Sequence, residues 1–475
     1  MLFNSVTFLI FLPTVFILYW FVFKKSLTVR NILLLVASYV FYGWWDYRFL
    51  GLIIASTLVD FTLGICLSNK KFDAYRKLFL IISLVFNLGL LGFFKYYNFF
   101  IDSWVSAWGL VGVEFHPSTL QIILPVGISF YTFQTLSYTI DIYRKKLAPT
   151  KDFVSFAAYV AFFPQLVAGP IERASHLLPQ FSKIKSFDFE FAKSGVGLIV
   201  WGLFKKIVVA DNCAYFVNQI FENPIGYSTL ELWIGVLFFS FQIYGDFSGY
   251  SDIAIGVSRL FGFDLMTNFK FPYFSRNIAE FWRRWHISLS SWFRDYLYIP
   301  LGGSRGNKWQ QTRNVFIIFI VSGFWHGANW TFVIWGGIHA SLFIPLLLIN
   351  KNRKYVNAHN YKLKDGISVL LTFIIVSFAW VYFRADNITF ALEYTFRMFS
   401  IDDFSITSLY KTSKTLLFAL ISVFSILVML WLEFRAVKKK YNEVHLSGFG
   451  LLCISVLILF LGVFKNPAEF IYFQF

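Results

Sequence analysis

The segment VSGFWHGANW, residues 321–330, places a histidine at the end of a long apolar run, among glycines and tryptophans. If Arg313 marks the membrane surface, a straight helix carries His326 about 20 Å inward at 1.5 Å per residue, well inside a hydrocarbon core about 30 Å thick. An ionisable side chain at that depth needs a polar partner or a cavity, and it marks a functional site by default. We therefore predict an active site centred on His326. A histidine that only hydrogen-bonds a neighbouring helix is the alternative that this segment leaves open.

The glycines of the same segment have a simpler explanation. Gly323 and Gly327 are four positions apart and share one helical face, a small-residue spacing that lets another backbone approach closely. Packing accounts for these glycines but not for the histidine.

The composition is that of a membrane protein. Hydrophobic residues make up 57% of the chain and charged residues only 14%, outside the range of ordinary soluble domains. The formal net charge of +16 would suit nucleic acid, but the Lys and Arg residues fall in short groups between apolar runs. The positive-inside rule and anionic lipid headgroups account for that pattern, so we expect no nucleic-acid partner.

Cysteine usage and motif content exclude several kinds of chemistry. The three cysteines, Cys66, Cys213 and Cys453, are far apart, so neither a disulfide framework nor a zinc site is expected. The chain has no GxSxG elbow, P-loop or metal-ligand spacing, so we predict no metal, no catalytic serine and no nucleotide hydrolysis.

Apolar runs of spanning or nearly spanning length are separated by short connections, and among the first of these, basic connections alternate with a nearly neutral one. The runs cover residues 3–23, 31–45, 49–68, 78–97, 118–135, 153–168, 195–210, 329–350, 366–384, 415–434 and 447–464. The charge pattern predicts an uncleaved first span whose start lies outside. The short runs at 118–135 and 153–168 are also compatible with re-entrant segments. Without a repeat, a linker or a soluble module, residues 1–475 are predicted to form a single membrane domain.

Two polar interruptions stand out before residue 260. FFPQLVAGPIER, residues 162–173, breaks an apolar run with prolines and a glycine, and predicts a broken helix that is buried in protein or lines a cavity; a plain loop is the alternative. YGDFSGYSDIAIG, residues 244–256, carries Asp246, Ser251 and Asp252. Six positions on a helix turn through about 240°, so the two carboxylates do not share a face. We predict that they cap helix ends or orient a histidine or arginine, while Lys205 and Lys206 in the preceding run snorkel to the interface.

A third segment, residues 277–306, is dense in basic and aromatic residues. Its tryptophans and arginines suit an interfacial helix with rings at the headgroup level; they are Trp282, Trp285, Trp292, Arg283, Arg284 and Arg294. Lipid anchoring explains this composition, and so does a cytoplasmic vestibule for an anionic donor. His286 lies within the segment, so we expect it at the hydrated interface.

Taken together and in this order, the motifs FFPQLVAGPIER, YGDFSGYSDIAIG, FWRRWHISLSSWFRDYLYIPLGG and SGFWHGANW resemble the membrane-bound O-acyltransferase family. The resemblance is closest to its bacterial alginate O-acetyltransferase branch, and the terminal FIYFQF also resembles that branch. It implies an all-α polytopic fold with about 11 or 12 membrane helices, re-entrant and interfacial helices, and a central funnel or tunnel.

The resemblance also implies a function. An acyl group, expected to be acetyl, would pass from a cytoplasmic thioester (acetyl-CoA or an acyl carrier protein) to a hydroxyl of a cell-surface polysaccharide outside a bacterial cytoplasmic membrane. The expected partner is an SGNH-hydrolase-like acetyltransferase, and no bound cofactor is expected. D-alanyl transfer or peptidoglycan O-acylation by the same fold is an alternative. A transporter of lipid-linked saccharide is the competing class, because broken helices and buried polar groups occur there too.

The predicted site residues follow from these motifs. By motif, the family's histidine corresponds to His326 and its second polar position to His286. Imidazole can deprotonate a hydroxyl or carry an acyl group, so His326 is the expected centre, and His286 is expected to orient the donor or gate the tunnel. The remaining predicted residues are Arg283, Arg284, Trp285, Trp325 and Asn329 for substrate binding, with Asp246, Asp252 and Ser251 in support.

Overall fold

The computed structural model describes residues 1–115, 117, 120–167, 169–356, 361–400, 403–465 and 468–471. Within these ranges every regular element is helical and no β-strand occurs, so the predicted all-α class is confirmed. Three parts of the predicted features lie outside the described residues: 118–119 of the 118–135 run, Ala168 of the 162–173 motif and 472–475 of the terminal FIYFQF.

The chain divides into two compact units. The first contains Met1–Gly195 and Val257–Met266, and the second contains Val196–Gly256 and Thr267–Phe475. Helices that begin in the first unit are α1 (Val6–Ile17), α2 (Leu27–Asp46), α3 (Leu50–Ser68), α4 (Arg76–Leu91), α5 (Tyr97–Gly109), α6 (Ile128–Tyr143), α7 (Phe153–Ala161), α8 (Phe163–Leu166), α9 (Ala174–Leu177) and α10 (Phe189–Leu203).

The second unit holds the residues predicted for catalysis. Its helices are α11 (Asp211–Glu222), α12 (Thr229–Leu260, whose last residues belong to the first unit), α13 (Ile278–Arg284), α14 (Ile287–Phe293), α15 (Lys308–His326), α16 (Trp330–Leu348), α17 (Asp365–Arg384), α18 (Ile388–Phe399), α19 (Ser413–Lys438) and α20 (Gly448–Leu461). A π-helix at Phe204–Ala210 joins α10 to α11, and another at Arg294–Tyr298 follows α14.

Several of these helices are long and apolar enough to cross a bilayer. In the described chain, five helical stretches meet both criteria: Leu27–Ser68, Lys70–Gly109, Trp330–Leu348, Asp365–Arg384 and Ser413–Lys438. Shorter apolar helices are Val6–Val22, Phe153–Leu166 and Gly448–Leu461. A helix rises 1.5 Å per residue, so the 42 residues of the first stretch have about twice the length that a bilayer core requires. The chain is a multi-pass membrane protein.

The interruption at 162–173 is buried within the first unit. The chain leaves α7 at Phe162, whose ψ of 106° is not helical, and Pro164 lies in the first turn of α8. Glu172 is fully buried, and its carboxylate accepts hydrogen bonds from the Met266 backbone N–H and from Nδ1 of His176 at 2.8 Å. The break therefore lies inside protein as predicted, and the described residues between Leu166 and Ala174 form a largely buried loop.

Helices α15 and α16 form a tightly packed hairpin that positions the predicted catalytic histidine. A capping box between Asn307 and Gln310 starts α15, and the chain becomes extended at Gly327, immediately after His326. A Cβ added at Gly323 would collide with the Phe332 carbonyl oxygen. The predicted close backbone approach at Gly323 is therefore confirmed, and it places the end of α15 firmly against α16.

Candidate active site

His326 is the last residue of α15 and only 2% exposed. Its ring lies among aromatic rings, with centroid distances of 5.0 Å to Trp325, 5.2 Å to Trp335 and 5.4 Å to Phe383. The ring of His286 is 6.2 Å away. We call these five residues the histidine cluster. Two imidazoles in a desolvated aromatic setting can exchange protons with a substrate without competition from bulk water.

The structure places His286 elsewhere than at the predicted hydrated interface. It is fully buried and separates α13 from α14 with a left-handed backbone, φ 45°. The expectation was wrong because the tryptophans taken for an interfacial belt pack inward: Trp282, Trp285 and Trp292 are all buried. A left-handed non-glycine residue persists only where its surroundings hold it firmly, so His286 is set in place by the packing around it.

Asn268 holds the orientation of the His286 ring. Its Oδ1 lies 3.0 Å from His286 Nδ1 and 3.4 Å from the Ser288 backbone N–H. Because a backbone N–H can only donate, the Asn268 oxygen is the acceptor, and Nδ1 of His286 carries the proton. Burial lowers the pKa of His286 to about 3, so the ring is neutral near pH 7 with a lone pair on Nε2. Nothing in the sequence around Asn268 singled it out.

Of the residues predicted to bind substrate, Trp325 and Trp285 lie at or beside the histidine cluster, whereas the described hydrogen bonds of Asn329 lie outside it. Trp325 contacts both histidines, with its ring 5.9 Å from that of His286. Trp285 packs at 5.0 Å from Trp380 within the wall beside the cluster. Asn329 has a different position: it caps α16 by accepting from the Thr331 N–H and donates to the Asp386 carbonyl at 2.7 Å. Its amide is therefore engaged in holding the α15–α16 connection.

Arg283 and Arg284 line a cavity of about 510 Å³. Arg284 pairs with Glu280 at 2.7 Å, and Arg283 donates to the Asn352 carbonyl at 2.9 Å. The other cationic and aromatic lining residues are Lys270, Lys440, Phe271, Tyr355, Tyr361 and Tyr441. We call this the arginine cavity. Among its described lining residues, four cations face one carboxylate, which makes the cavity suitable for an anionic ligand.

Asp246 and Asp252 do not lie at a helix end, so the prediction that they cap helices was wrong. Both lie in the interior of α12, and they pair with lysines instead: Asp246 with Lys206 at 2.9 Å and Asp252 with Lys205 at 2.6 Å. The prediction that these lysines snorkel to the interface was also wrong, since both are buried. The physical reason is that a buried charge requires a partner of opposite sign, and the lysines of the π-helix find theirs on α12.

A third carboxylate and the chain's tail complete this arrangement. Asp211 lies 2.8 Å from Lys206, and we call these two lysines and three aspartates the lysine layer. The Lys206 ammonium also donates to the Ala468 carbonyl, and the Ile471 N–H donates to Asp246 Oδ2 at 2.7 Å. The layer therefore anchors residues near the C-terminus.

Helix α12 carries Asp246 and Asp252 of the lysine layer and also contacts the histidine cluster. Phe247, which follows Asp246, lies with its ring 4.7 Å from that of His286. Ser251, on the same helix, is buried. That Asp246, Asp252 and Ser251 support the histidines stays a prediction, and Phe247 is the α12 residue whose ring contacts His286. Two adjacent lysines with apolar residues on both sides, Lys205 and Lys206, were the feature of the sequence that could have pointed to buried charges here.

Comparison with known proteins agrees with these features. Residues 144–385 match the model of the MBOAT, membrane-bound O-acyltransferase family. A probable alginate O-acetylase from Pseudomonas aeruginosa is 40% identical over 449 residues, covering 93% of this chain and 83% of the relative. A peptidoglycan O-acetyltransferase from Helicobacter pylori is 34% identical over 523 residues, covering 100% of this chain and 98% of the relative.

A more distant relative is a teichoic acid D-alanyltransferase from Bacillus subtilis, 28% identical over 282 residues, which cover 56% of this chain and 70% of the relative. The resemblance drawn from the motifs is confirmed, because the family model spans both histidines and the relatives extend along most of the chain. The chain is an O-acyltransferase that belongs to the membrane-bound O-acyltransferase family.

Proposed function

We propose that this enzyme passes an acetyl group from a cytoplasmic thioester to a hydroxyl of a cell-surface polysaccharide, alginate-like or another exopolysaccharide, outside a bacterial cytoplasmic membrane. The observation that carries the proposal is the pair of buried imidazoles, His286 and His326, with ring centroids 6.2 Å apart. Acyl transfer to a hydroxyl needs a proton acceptor in a site that excludes water, because water would otherwise hydrolyse the thioester.

His326 supplies the proton acceptor in this mechanism. Its imidazole takes the proton from the acceptor hydroxyl while that oxygen attacks the thioester carbonyl carbon. The carbon–sulfur bond breaks, and the leaving thiolate takes the proton back from the His326 imidazolium. His286 is a positioning residue: burial keeps its ring neutral, so no second positive charge opposes the one that forms on His326.

The arginine cavity supports binding of the donor. Coenzyme A and the phosphopantetheine arm of a carrier protein both carry phosphate, which arginine recognises with paired N–H groups. Arg283 and Arg284 end α13, directly before Trp285 and His286 in the chain. A donor phosphate held there would leave the flexible thioester arm to reach toward the histidines.

The central experiment uses purified protein in lipid vesicles with a labelled acetyl thioester and a polysaccharide acceptor. Transfer of label to polysaccharide by the native chain, and its loss in His326→Ala, is the expected result. An extracytoplasmic SGNH-hydrolase-like partner would be added in a second series, because we propose that such a partner assists acetylation of the polymer by this enzyme. Robust movement of lipid-linked saccharide across the vesicle without acetyl transfer would contradict the proposal and favour a transporter.

A second experiment separates donor from acceptor recognition. Replacing Arg283 and Arg284 by glutamine should raise the KM for the donor while the KM for the acceptor stays unchanged. Acetyl-CoA and an acetylated carrier protein are compared as donors. Lys193→Gln, which alters an exposed lysine paired with Glu190, is the matched control. Equal changes in both KM values would remove the arginine cavity from donor binding.

Peptidoglycan is the second candidate acceptor. The Helicobacter pylori peptidoglycan O-acetyltransferase aligns with all of this chain over 98% of its own length, which favours this acceptor over teichoic acid. Mass spectrometry of muropeptides and of exopolysaccharide from cells with and without the gene distinguishes the two acceptors. Acetyl loss confined to the muropeptides would replace exopolysaccharide with peptidoglycan in the proposed reaction.

A further inference from the structure

A second cavity, of about 490 Å³, lies between helices α19 and α20 and the connection that joins them. Its lining includes Trp431, Leu432 and Arg435 from α19, Lys439 from the connection, and Ile454 and Leu457 from α20. We call it the α19–α20 groove. It shares Tyr441 with the arginine cavity but is otherwise lined by different residues.

The groove has an apolar part and a cationic end. Leu432, Ile454 and Leu457 are aliphatic, whereas Arg435 and Lys439 are the basic residues that line the other end of the groove. The Arg435 guanidinium lies 4.8 Å from the centre of the Trp431 ring, which supports its planar group from one side. A ligand that fits must therefore combine an apolar chain with an anion.

The positive charges at the cationic end are not neutralised by an ion pair among the described residues. Within the part of the chain that the structure describes, no carboxylate lies within 4.0 Å of Arg435 or Lys439. The nearby Glu443 lies 3.7 Å from His445. Ser447 and Gly450, at the start of α20, also line the groove, and the start of a helix favours negative charge. These features together favour a phosphate group.

The surroundings of the groove are those of a lipid-facing surface. Helix α19 is one of the candidate membrane spans, and Trp431 and Phe449 beside the groove are 56% and 77% exposed. Such large apolar surface would be costly in water, and a bilayer covers it without cost. The basic residues at the end of α19 also suit the anionic cytoplasmic leaflet.

We propose that the α19–α20 groove binds an anionic phospholipid, with the headgroup phosphate at Arg435 and Lys439 and the upper acyl chain along Leu432, Ile454 and Leu457. Basic pockets between membrane helices are known sites for anionic headgroups. The proposal rests on the chain being a membrane protein and is independent of the proposed acceptor and donor.

Native mass spectrometry of the purified protein tests it, with phosphatidylglycerol and phosphatidylcholine offered in separate titrations. We expect phosphatidylglycerol to bind more tightly. The double variant Arg435→Gln/Lys439→Gln should lose about 25-fold in affinity for it, since each cation near an anionic headgroup contributes roughly fivefold. The control Lys411→Gln/Lys414→Gln removes two exposed lysines at the other end of α19 and should leave the affinity unchanged. Equal binding of both lipids, or an equal loss in the control, would overturn the proposal.

A second measurement keeps Arg435 and Lys439, so its result does not depend on correct folding of the double variant. Cys453 is exposed and lines the groove, so a bimane label there, in a Cys66→Ser background, reports on the occupant. Phosphatidylglycerol with brominated acyl chains should quench the label at a lower mole fraction than brominated phosphatidylcholine. High concentrations of free phosphate should not reverse that quenching if a lipid is the ligand. Identical quenching by the two brominated lipids would also overturn the proposal.

Discussion

The second unit buries polar side chains in two regions with opposite chemistry. In the lysine layer, the lysine ammonium groups lie 2.6 to 2.9 Å from aspartate oxygens. In the histidine cluster, the described ring neighbours are aromatic, and burial keeps the His286 imidazole neutral. Paired charges are costly to separate and serve to hold helices in place. An imidazole surrounded by rings can accept a proton, so we infer that the lysine layer serves the fold and the histidine cluster serves the reaction.

The largest expected effect is on transfer and follows removal of the cluster's central imidazole. His326→Ala should lower acetyl transfer by at least about 100-fold, the usual contribution of a positioned general base, while the protein inserts and purifies normally. Single-turnover transfer and the thermal unfolding midpoint measure the two properties separately. His445→Ala, which removes a surface histidine, is the control. Near-normal transfer in the His326 variant would place the chemistry elsewhere.

Substitutions in the lysine layer should reduce the stability of the protein, in contrast to the loss of transfer expected in the histidine cluster. Lys206→Met leaves two buried aspartates without their cation, and breaking a buried pair in this way costs about 3–5 kcal/mol. We expect a large fall in the thermal midpoint and in the yield of monodisperse protein. Lys205→Met is the matched comparison and should cost less, because its partner Asp252 is 20% exposed at the side chain, against 3% for Asp246. A stable but inactive Lys206 variant would contradict the assignment of a structural role to the lysine layer.

A smaller effect is expected from the residue that orients His286. Asn268→Ala removes the acceptor for Nδ1, and a hydrogen bond contributes about 0.5–1.5 kcal/mol, so kcat should fall by up to about tenfold. The KM for the donor should stay constant, because the arginine cavity is untouched. Ser288→Ala, which removes another donor to the same Asn268 oxygen, should reduce kcat less. An effect on donor KM alone would mean that His286 serves donor binding.

The smallest effect should come from Ser251, which the sequence placed among the supporting residues. Its side chain is buried on α12, and no described contact carries it to either histidine ring. Ser251→Ala should therefore change kcat by less than about twofold, within the range of substitutions away from a site's key contacts. Steady-state kinetics at saturating donor measure this. A tenfold loss would show that α12 supports the cluster more directly than through Phe247.

The sequence predicted the parts of this fold that depend on apolar length. The run at 366–384 became α17, and the run at 415–434 lies within α19, because a span needs only about 20 apolar residues. The burial of His326 was also predictable, since an uninterrupted apolar run leads to it. These properties depend only on residues that are neighbours in the sequence.

The properties that were missed depend on partners distant in the chain. Lys206 pairs with Asp246, forty positions away, and no local pattern distinguishes a lysine that snorkels from one that finds a buried carboxylate. The tryptophans around His286 have the composition of a headgroup belt, yet they pack against other rings such as Trp380 and Trp335. Amphipathic aromatic residues suit both environments, so only the three-dimensional arrangement distinguishes them.

The glycine contact between α15 and α16 also bears on how the chain is made. Of these two helices, only α16 is long and apolar enough to be a membrane span by itself, while α15 begins with Lys308 and includes Arg313. A helix of that kind enters a bilayer more readily when a strongly apolar neighbour accompanies it. In the folded chain, the backbone contact at Gly323 joins α15 to α16 as a helical hairpin. Bulky replacements at that glycine should accordingly appear as poor insertion and early degradation of the newly made chain.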